Sequence, residues 1–252
     1  MKEYPILFST AMVQAILDGD KTMTRRTNGL EIINNNISAP YWQGAYLREV
    51  LRYDIEHKTF ALFKRKDKRG DDCFKFPYGC VNDLIWVREE HLISVNGNHI
   101  QCVFKDSGSI MLHFDEIPAN TLKNIKKRKT LGKWQRARFL PKCFARIWLE
   151  ITEIEAERLH DITETDILRE GVRIPCADNK PVFKLGVENS AASFLPEGFM
   201  QKDNGIILTQ EMLLKAHWAE LWCKINGREN YDTNPWVWAI SFKVISTNGK
   251  HQ

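Results

Sequence analysis

The chain has 252 residues, 43% hydrophobic and 27% charged, with a net charge of +4. That balance suits a globular polypeptide long enough to bury a sizeable core and excludes a disordered one. No apolar run approaches the roughly 20 residues that span a bilayer, and Gln14 and Asp18 interrupt the short one near Met1, so neither membrane insertion nor a secretory signal is expected.

In chain order, Ile6-Leu7-Phe8 reads as a short strand. Ser9 or Thr10 then caps a helix, because a side-chain oxygen accepts an otherwise orphaned backbone N–H. Met12, Val13, Ile16 and Leu17 share one face of that helix, and Gly19 suits the left-handed residue that ends it. Met23 to Arg26 alternates as a strand does. Residues 28–76 read as an insertion, with a turn at Asn34-Asn35-Asn36, a peripheral hairpin or helix over Arg48 to Phe63 and an exposed loop over Lys64 to Arg69. Leu84 to Glu89 is apolar on both faces and predicts a central strand.

Ile100 to Lys105 and Ile110 to Phe114 predict two further strands around a Ser107-Gly108 turn. Ala145 to Ile154 predicts another, with Ile147, Leu149 and Ile151 on one side. Thr163-Glu164-Thr165-Asp166 resembles a capping box opening a helix that stops at Gly171. Residues 173–208 carry three prolines without periodicity and read as a second insertion or flap. Thr209 caps an amphipathic helix with Leu214, Trp218, Leu221 and Ile225 on one stripe. Trp236, Trp238, Ile240 and Phe242 alternate along a final strand. Several strands in mixed order with few helices predict one α+β domain over residues 1–252, a small, partly antiparallel barrel flanked by helices.

Cys73, Cys80, Cys102, Cys143, Cys176 and Cys223 are scattered, with no Cys-x-x-Cys pair and no histidine at zinc-ligand spacing. Reduced thiols in a cytoplasmic protein follow, with no metal or other cofactor. Charge is unevenly spread. From Ile117 to Leu149 there is no acidic residue but there are ten cations, among them Lys126, Lys127, Arg128, Arg136 and Arg138, which leaves the rest of the chain at net −6. Such a block serves a nucleic-acid backbone or is a solvated loop.

The densest chemistry lies in Lys21-Thr22-Met23-Thr24-Arg25-Arg26: an amine, two hydroxyls and two guanidinium groups directly after Gly19. Arg88 and Glu89, at the end of a central strand, can pair with neighbours or line a cleft. In a regular strand Lys21 and Thr24 point to opposite faces. They share a site only if Lys21 sits in the turn or a bulge intervenes.

These stretches, with Ile16-Leu17-Asp18-Gly19, Asp83 to Glu89, Trp134 through Pro141 to Ile147, Ile162-Thr163-Glu164 through Gly171, and Asn234-Pro235-Trp236-Val237-Trp238, resemble ASCH-domain proteins, particularly the larger ones of phages and prophages. The resemblance runs in order over nearly the whole chain. It departs at the two insertions and at the more basic Gln135 to Arg138. It implies a PUA-like mixed β-barrel, a fold associated with RNA and modified nucleosides. One bacterial ASCH enzyme type is an N4-acetylcytidine amidohydrolase with a Lys, a Thr three residues on and a distant Glu. The first two match Lys21 and Thr24, and the third falls at Glu170, with Glu164 nearby.

On that expectation Thr24 is a nucleophile needing an adjacent base. Lys21, if desolvated, is that base. Glu170 holds the amine or protonates the leaving group, and Arg25 or Arg26 stabilises charge or grips a phosphate. The expected partner is a modified nucleoside, a nucleotide or RNA. The rival expectations are a non-catalytic RNA-binding module, using the basic segment from Lys123 to Arg146, and a ribonuclease.

Overall fold

The computed structural model describes residues 1–36, 42, 45–53, 58–65, 70–173, 176–177, 180–181 and 210–249. Its elements begin with β1 (Glu3–Leu7), α1 (Thr10–Leu17), β2 (Met23–Arg26), α2 (Glu31–Asn35), β3 (Tyr46–Tyr53), β4 (Lys58–Lys64) and β5 (Asp71–Lys75). There follow β6 (Leu84–Arg88), β7 (His91–Asn96), β8 (His99–Phe104), β9 (Ser109–His113), α3 (Ala119–Lys126), β10 (Trp134–Gln135) and β11 (Trp148–Arg158). The last are α4 (Glu164–Arg169), β12 (Cys176–Ala177), β13 (Lys180–Pro181), α5 (Gln210–Asn226), α6 (Arg228–Asp232) and β14 (Trp236–Ser246). Most of the expected second insertion, the Thr209 cap and the loop at 66–69 lie outside the described residues.

The principal sheet runs β1-β6-β11-β14-β2. β1 lies parallel to β6, and the remaining pairs are antiparallel. β6 is internal to this sheet, as its two-sided apolar sequence requires. The eleven-residue strands β11 and β14 form its longest ladder, with register shifts after Trp148 and after Ile151. Ile6, Ile85, Ile147, Leu149, Ile151, Trp238 and Ile240 are buried in one core on this sheet.

The three-stranded sheet β3-β4-β5 packs on the same core. Phe63 and Phe76 are fully buried, their rings edge-on to Trp236 at 4.7 Å and Trp238 at 5.2 Å. Edge-on aromatic pairs at such separations add to plain area burial. β3 and β4 pair antiparallel, as the hairpin alternative expected, and β4 is integral to the core where a peripheral position was expected. Asn34 and Asn35, expected in a turn, close the short helix α2.

A separate sheet, β10-β7-β8-β9, encloses its own core of Ile93, Ile100, Phe104, Ile125 and Phe144. α4 and α5 form a third cluster through Ile167, Leu214, Trp218 and Trp222. No helix among the described residues is long and apolar enough to cross a membrane.

The α+β class holds, but the expected barrel does not form. Closing the principal sheet requires its edges, β1 and β2, to pair with each other; among the described residues each has a single neighbour, β6 and β14 respectively. The gap is spanned by one side chain. Arg26 donates from Nη2 to the Leu7 carbonyl at 2.8 Å and lies over the Phe8 ring at 5.0 Å. A guanidinium there takes the place of a backbone ladder, so the sheet stays open.

Candidate functional site

The site forms where the end of α1 meets the end of α4. Ser9 caps α1 by accepting the Met12 N–H, and Gly19 ends it at φ +80°. The Asp20 and Lys21 amides then both donate to the Ala15 carbonyl, at 2.9 Å each. Lys21 makes an isolated antiparallel bridge with Glu170, and the Thr22 amide donates to the Arg169 carbonyl at 2.8 Å. Lys21 thus precedes β2, and the period-two alternation that would have turned it away from Thr24 begins only at Met23. Gly171 (φ +84°) allows this close approach, since a Cβ there would stand 2.9 Å from Ala15 Cβ and 3.2 Å from Lys21 Cβ.

Three buried charges meet at the junction. Lys21 is fully buried, and its Nζ lies 2.6 Å from Glu170 Oε2 and 2.9 Å from the Glu170 carbonyl. Arg25, also buried, donates from Nε to Glu157 at 2.6 Å, while its Nη2 and Nη1 lie 3.2 Å from Asp166 and 3.4 Å from Glu170. Burial pushes the Lys21 amine below its ordinary value, and Glu170 opposes that shift. Burial likewise raises the Glu157 carboxyl, with Arg25 opposing. Glu170 is the carboxylate that meets Lys21, and Glu164 sits in the first turn of α4.

Beside this network Thr24 Oγ1 is buried and has no hydrogen-bond partner among the described residues. Lys21 and Thr24 therefore share no hydrogen bond, although both belong to the junction. A narrow cleft is lined by Thr24, Arg25, Arg26, Glu170, Trp218 and Trp222, with Met12, Leu221, Ile225 and Asn226 completing its walls. Its interior measures ≈ 10 Å³, and ≈ 260 Å³ of empty space is counted with the mouth. Lys21 does not line it and stands behind Glu170.

The other candidates fall elsewhere. Arg88 lies over the Trp86 ring at 4.7 Å, its guanidinium lowered by burial. Glu89 is buried against Arg146 at 2.6 Å, and Arg146 also holds Asp106 at 2.7 Å. Glu89 and Arg146 join the strand ends of the principal sheet to the β8–β9 turn and line a small pocket of their own with Asp106, Lys105 and Thr10, apart from the Thr24 cleft. Lys126, Lys127, Arg128, Arg136 and Arg138 belong to α3 and the segment after it, away from the cleft. Lys126 stands over Phe114 at 3.8 Å and Arg138 over Phe139 at 5.0 Å. Of the ten cations in the basic stretch, Lys142 pairs with Glu3 and Arg146 is clamped. No carboxylate partner occurs for the other eight among the described residues.

Glu157, Asp166, Trp222 and Asn226 were not legible as site residues. For Trp222 a signal existed, since it lies four residues after Trp218 and one helical turn on. Ile225, expected on the buried stripe, is 49% exposed at the mouth of the cleft. Glu157 carries no sequence mark and Asp166 only that of a helix start, because the fold alone brings them to Arg25.

No group of three or more His, Cys, Asp or Glu among the described residues is arranged to hold a metal ion. Comparison with protein-family models, curated proteins and solved structures gave no match to this chain.

Proposed function

We propose that the cleft binds a pyrimidine nucleoside carrying an acylated exocyclic amine and hydrolyses that amide. The observation that carries this reading is the buried, unpartnered Thr24 hydroxyl in the cleft wall beside the Lys21–Glu170–Arg25 network. A buried hydroxyl without a partner costs roughly 1–3 kcal/mol, and a group kept at that cost is a candidate for reaction. The ASCH-like Lys21 to Arg26 motif supports the same chemistry. The open sheet does not bear on it.

In the proposed reaction the Thr24 oxygen attacks the acyl carbon and gives up its proton to Glu170, the acid–base group that faces the cleft. The carbon–nitrogen bond then breaks, and the same proton passes from Glu170 to the departing amine. Water hydrolyses the threonine ester and restores the hydroxyl. Lys21, shut off behind Glu170, positions that carboxylate. Contact between Thr24 and Glu170 forms only with substrate in place, as catalytic hydrogen bonds commonly tighten on binding. Trp218 and Trp222, each 4% exposed and packed in the α4–α5 core, form the apolar floor of the cleft. A base reaches them once Met12 and Ile225, which also line the cleft, are displaced. The five free cysteines among the described residues support a reducing, cytoplasmic setting.

The test is loss of the acetyl chromophore of N4-acetylcytidine, with Thr24→Val as control. Valine replaces the orphaned hydroxyl by a methyl of the same shape, so stability is expected to hold or rise while turnover disappears. A folded wild-type protein that leaves the compound intact would refute the proposal.

A second reading, a non-catalytic RNA-binding module, draws support from the eight cations without a carboxylate partner and from Trp134 and Phe139, which are 47% and 51% exposed beside them. Exposed aromatics among cations suit single-stranded nucleic acid.

A further inference from the structure

The cleft has a neighbour. An open groove of ≈ 610 Å³ is lined by Asn34, Asn35, Asn226, Arg228, Asn230 and Thr233, together with Gly227 and Glu229. Asn226 lines both spaces, so the groove begins at the rim of the cleft.

The two are also mechanically one unit, through Trp222. Its ring lines the cleft. Its indole N–H donates to Asn230 Oδ1 at 2.9 Å, and its carbonyl accepts from Asn226 Nδ2 at 3.4 Å. These bonds fix both amides by chemistry, since an indole N–H only donates and a carbonyl only accepts. Among the described residues no further bond is made by Asn230 Nδ2 or by Asn226 Oδ1. A donor and an acceptor are thereby left over on two residues that line the groove, both tied to the residue that walls the cleft. The far wall is fixed too, because the Asn34 side chain exchanges two hydrogen bonds with the Trp236 backbone, at 2.8 and 2.9 Å.

We propose that this groove is a ribose subsite. It would hold the 2′,3′-diol of a ribonucleoside between Asn226 and Asn230 while the base lies against Trp222. Each sugar hydroxyl both donates and accepts, which matches an amide donor beside an amide acceptor. A phosphate would meet Glu229 as well as Arg228, whose Nε is already held by Asp232 at 2.8 Å, so the charged lining does not select an anion. The inference rests on the proposed function and narrows it: the preferred substrate carries a ribose, and the deoxynucleoside and the free base bind more weakly.

Three compounds test it: N4-acetylcytidine, N4-acetyl-2′-deoxycytidine and N4-acetylcytosine, compared by KM and by quenching of tryptophan fluorescence. A single neutral hydrogen bond corresponds to roughly fivefold in affinity, so the wild type should favour the ribonucleoside over its deoxy analogue by about that factor. Asn226→Ala and Asn230→Asp should each erase the preference by raising KM for the ribonucleoside; in Asn230→Asp, whose site lies outside the cleft wall, KM for the base should stay unmoved. Aspartate at 230 keeps the acceptor for Trp222 and removes only the free donor, so loss of folding does not mimic the effect. Equal affinity for all three compounds in the wild type, or a preference that survives both substitutions, overturns the ribose subsite and leaves the proposed reaction standing. If the wild type neither binds nor converts any of the three, the proposed function falls and this inference with it.

Discussion

Replacing Glu170 by Gln keeps the shape of the side chain and removes its charge. In the native protein the carboxylate faces Lys21 Nζ at 2.6 Å and Arg25 Nη1 at 3.4 Å, with all three residues buried. Arg25 retains Glu157 and Asp166, so the cost falls mainly on Lys21. Stranding one partner of a buried pair costs about 3–5 kcal/mol. A lysine can limit that cost by losing its proton. Against its ordinary pKa of 10.5, shedding the proton costs about 4.8 kcal/mol at pH 7 but only about 1.4 at pH 9.5, at 1.36 per unit.

The sign follows from linkage. A lysine whose folded pKa lies below its unfolded value leaves the unfolded chain holding more protons, so stability rises with pH up to the unfolded pKa. Urea unfolding of Glu170→Gln should therefore show a penalty near 3–5 kcal/mol at pH 7 that shrinks by roughly 3 at pH 9.5. The double variant Lys21→Met/Glu170→Gln should recover most of the loss at both pH values, because no charge is stranded. A penalty below about 1 kcal/mol at pH 7, or one equal at the two pH values, would refute the account of Lys21 as a desolvated cation held by Glu170.

Gly171→Ala should destabilise by about 1–3 kcal/mol and lower turnover, since it strains a left-handed residue and drives a methyl into Ala15 and Lys21. Gly132→Ala, at φ +72° with open space around it, should lose only about 1 kcal/mol when both are unfolded in urea. Arg136→Ala/Arg138→Ala removes two cations that hold no carboxylate and should leave the unfolding midpoint unchanged. If the basic segment grips phosphates, the slope of log K for poly(U) against log salt should become shallower by about 0.7 for each phosphate no longer neutralised. An unchanged slope would remove the segment from the interface.

Local signals in the sequence were strong where one face of an element meets the core. The alternation of Trp236, Trp238 and Ile240 specified β14, the two-sided apolar run at Leu84 specified the internal strand β6, and Thr163 specified the start of α4. Its side chain does accept the Asp166 amide. Such patterns are local because burial of one face imposes a period of 2 or 3.6 on the chain itself. The same reasoning was less complete over residues 48–63, where it offered a hairpin or a helix at the periphery: β3 and β4 pair as a hairpin does, but Ala61 and Phe63 lie in the core.

What the sequence by itself determined was the set of chemical groups and their local frames: Gly19 ending a helix and Thr24 on a strand. It also held the Lys21 to Arg26 motif and the acid-free run of cations from Lys123 onward, but whether Lys21 sat in the turn was left to the structure. Tertiary structure alone decided which groups face one another. It set Glu170 on Lys21, placed Glu157 and Asp166 around Arg25, and put Trp222 across from an unpartnered Thr24. It also decided that the principal sheet stays open, because whether β1 and β2 meet depends on the summed twist and register of five strands. Pairings between residues some 130 to 150 positions apart depend on that whole geometry and on desolvation inside it, neither of which any single stretch of chain records.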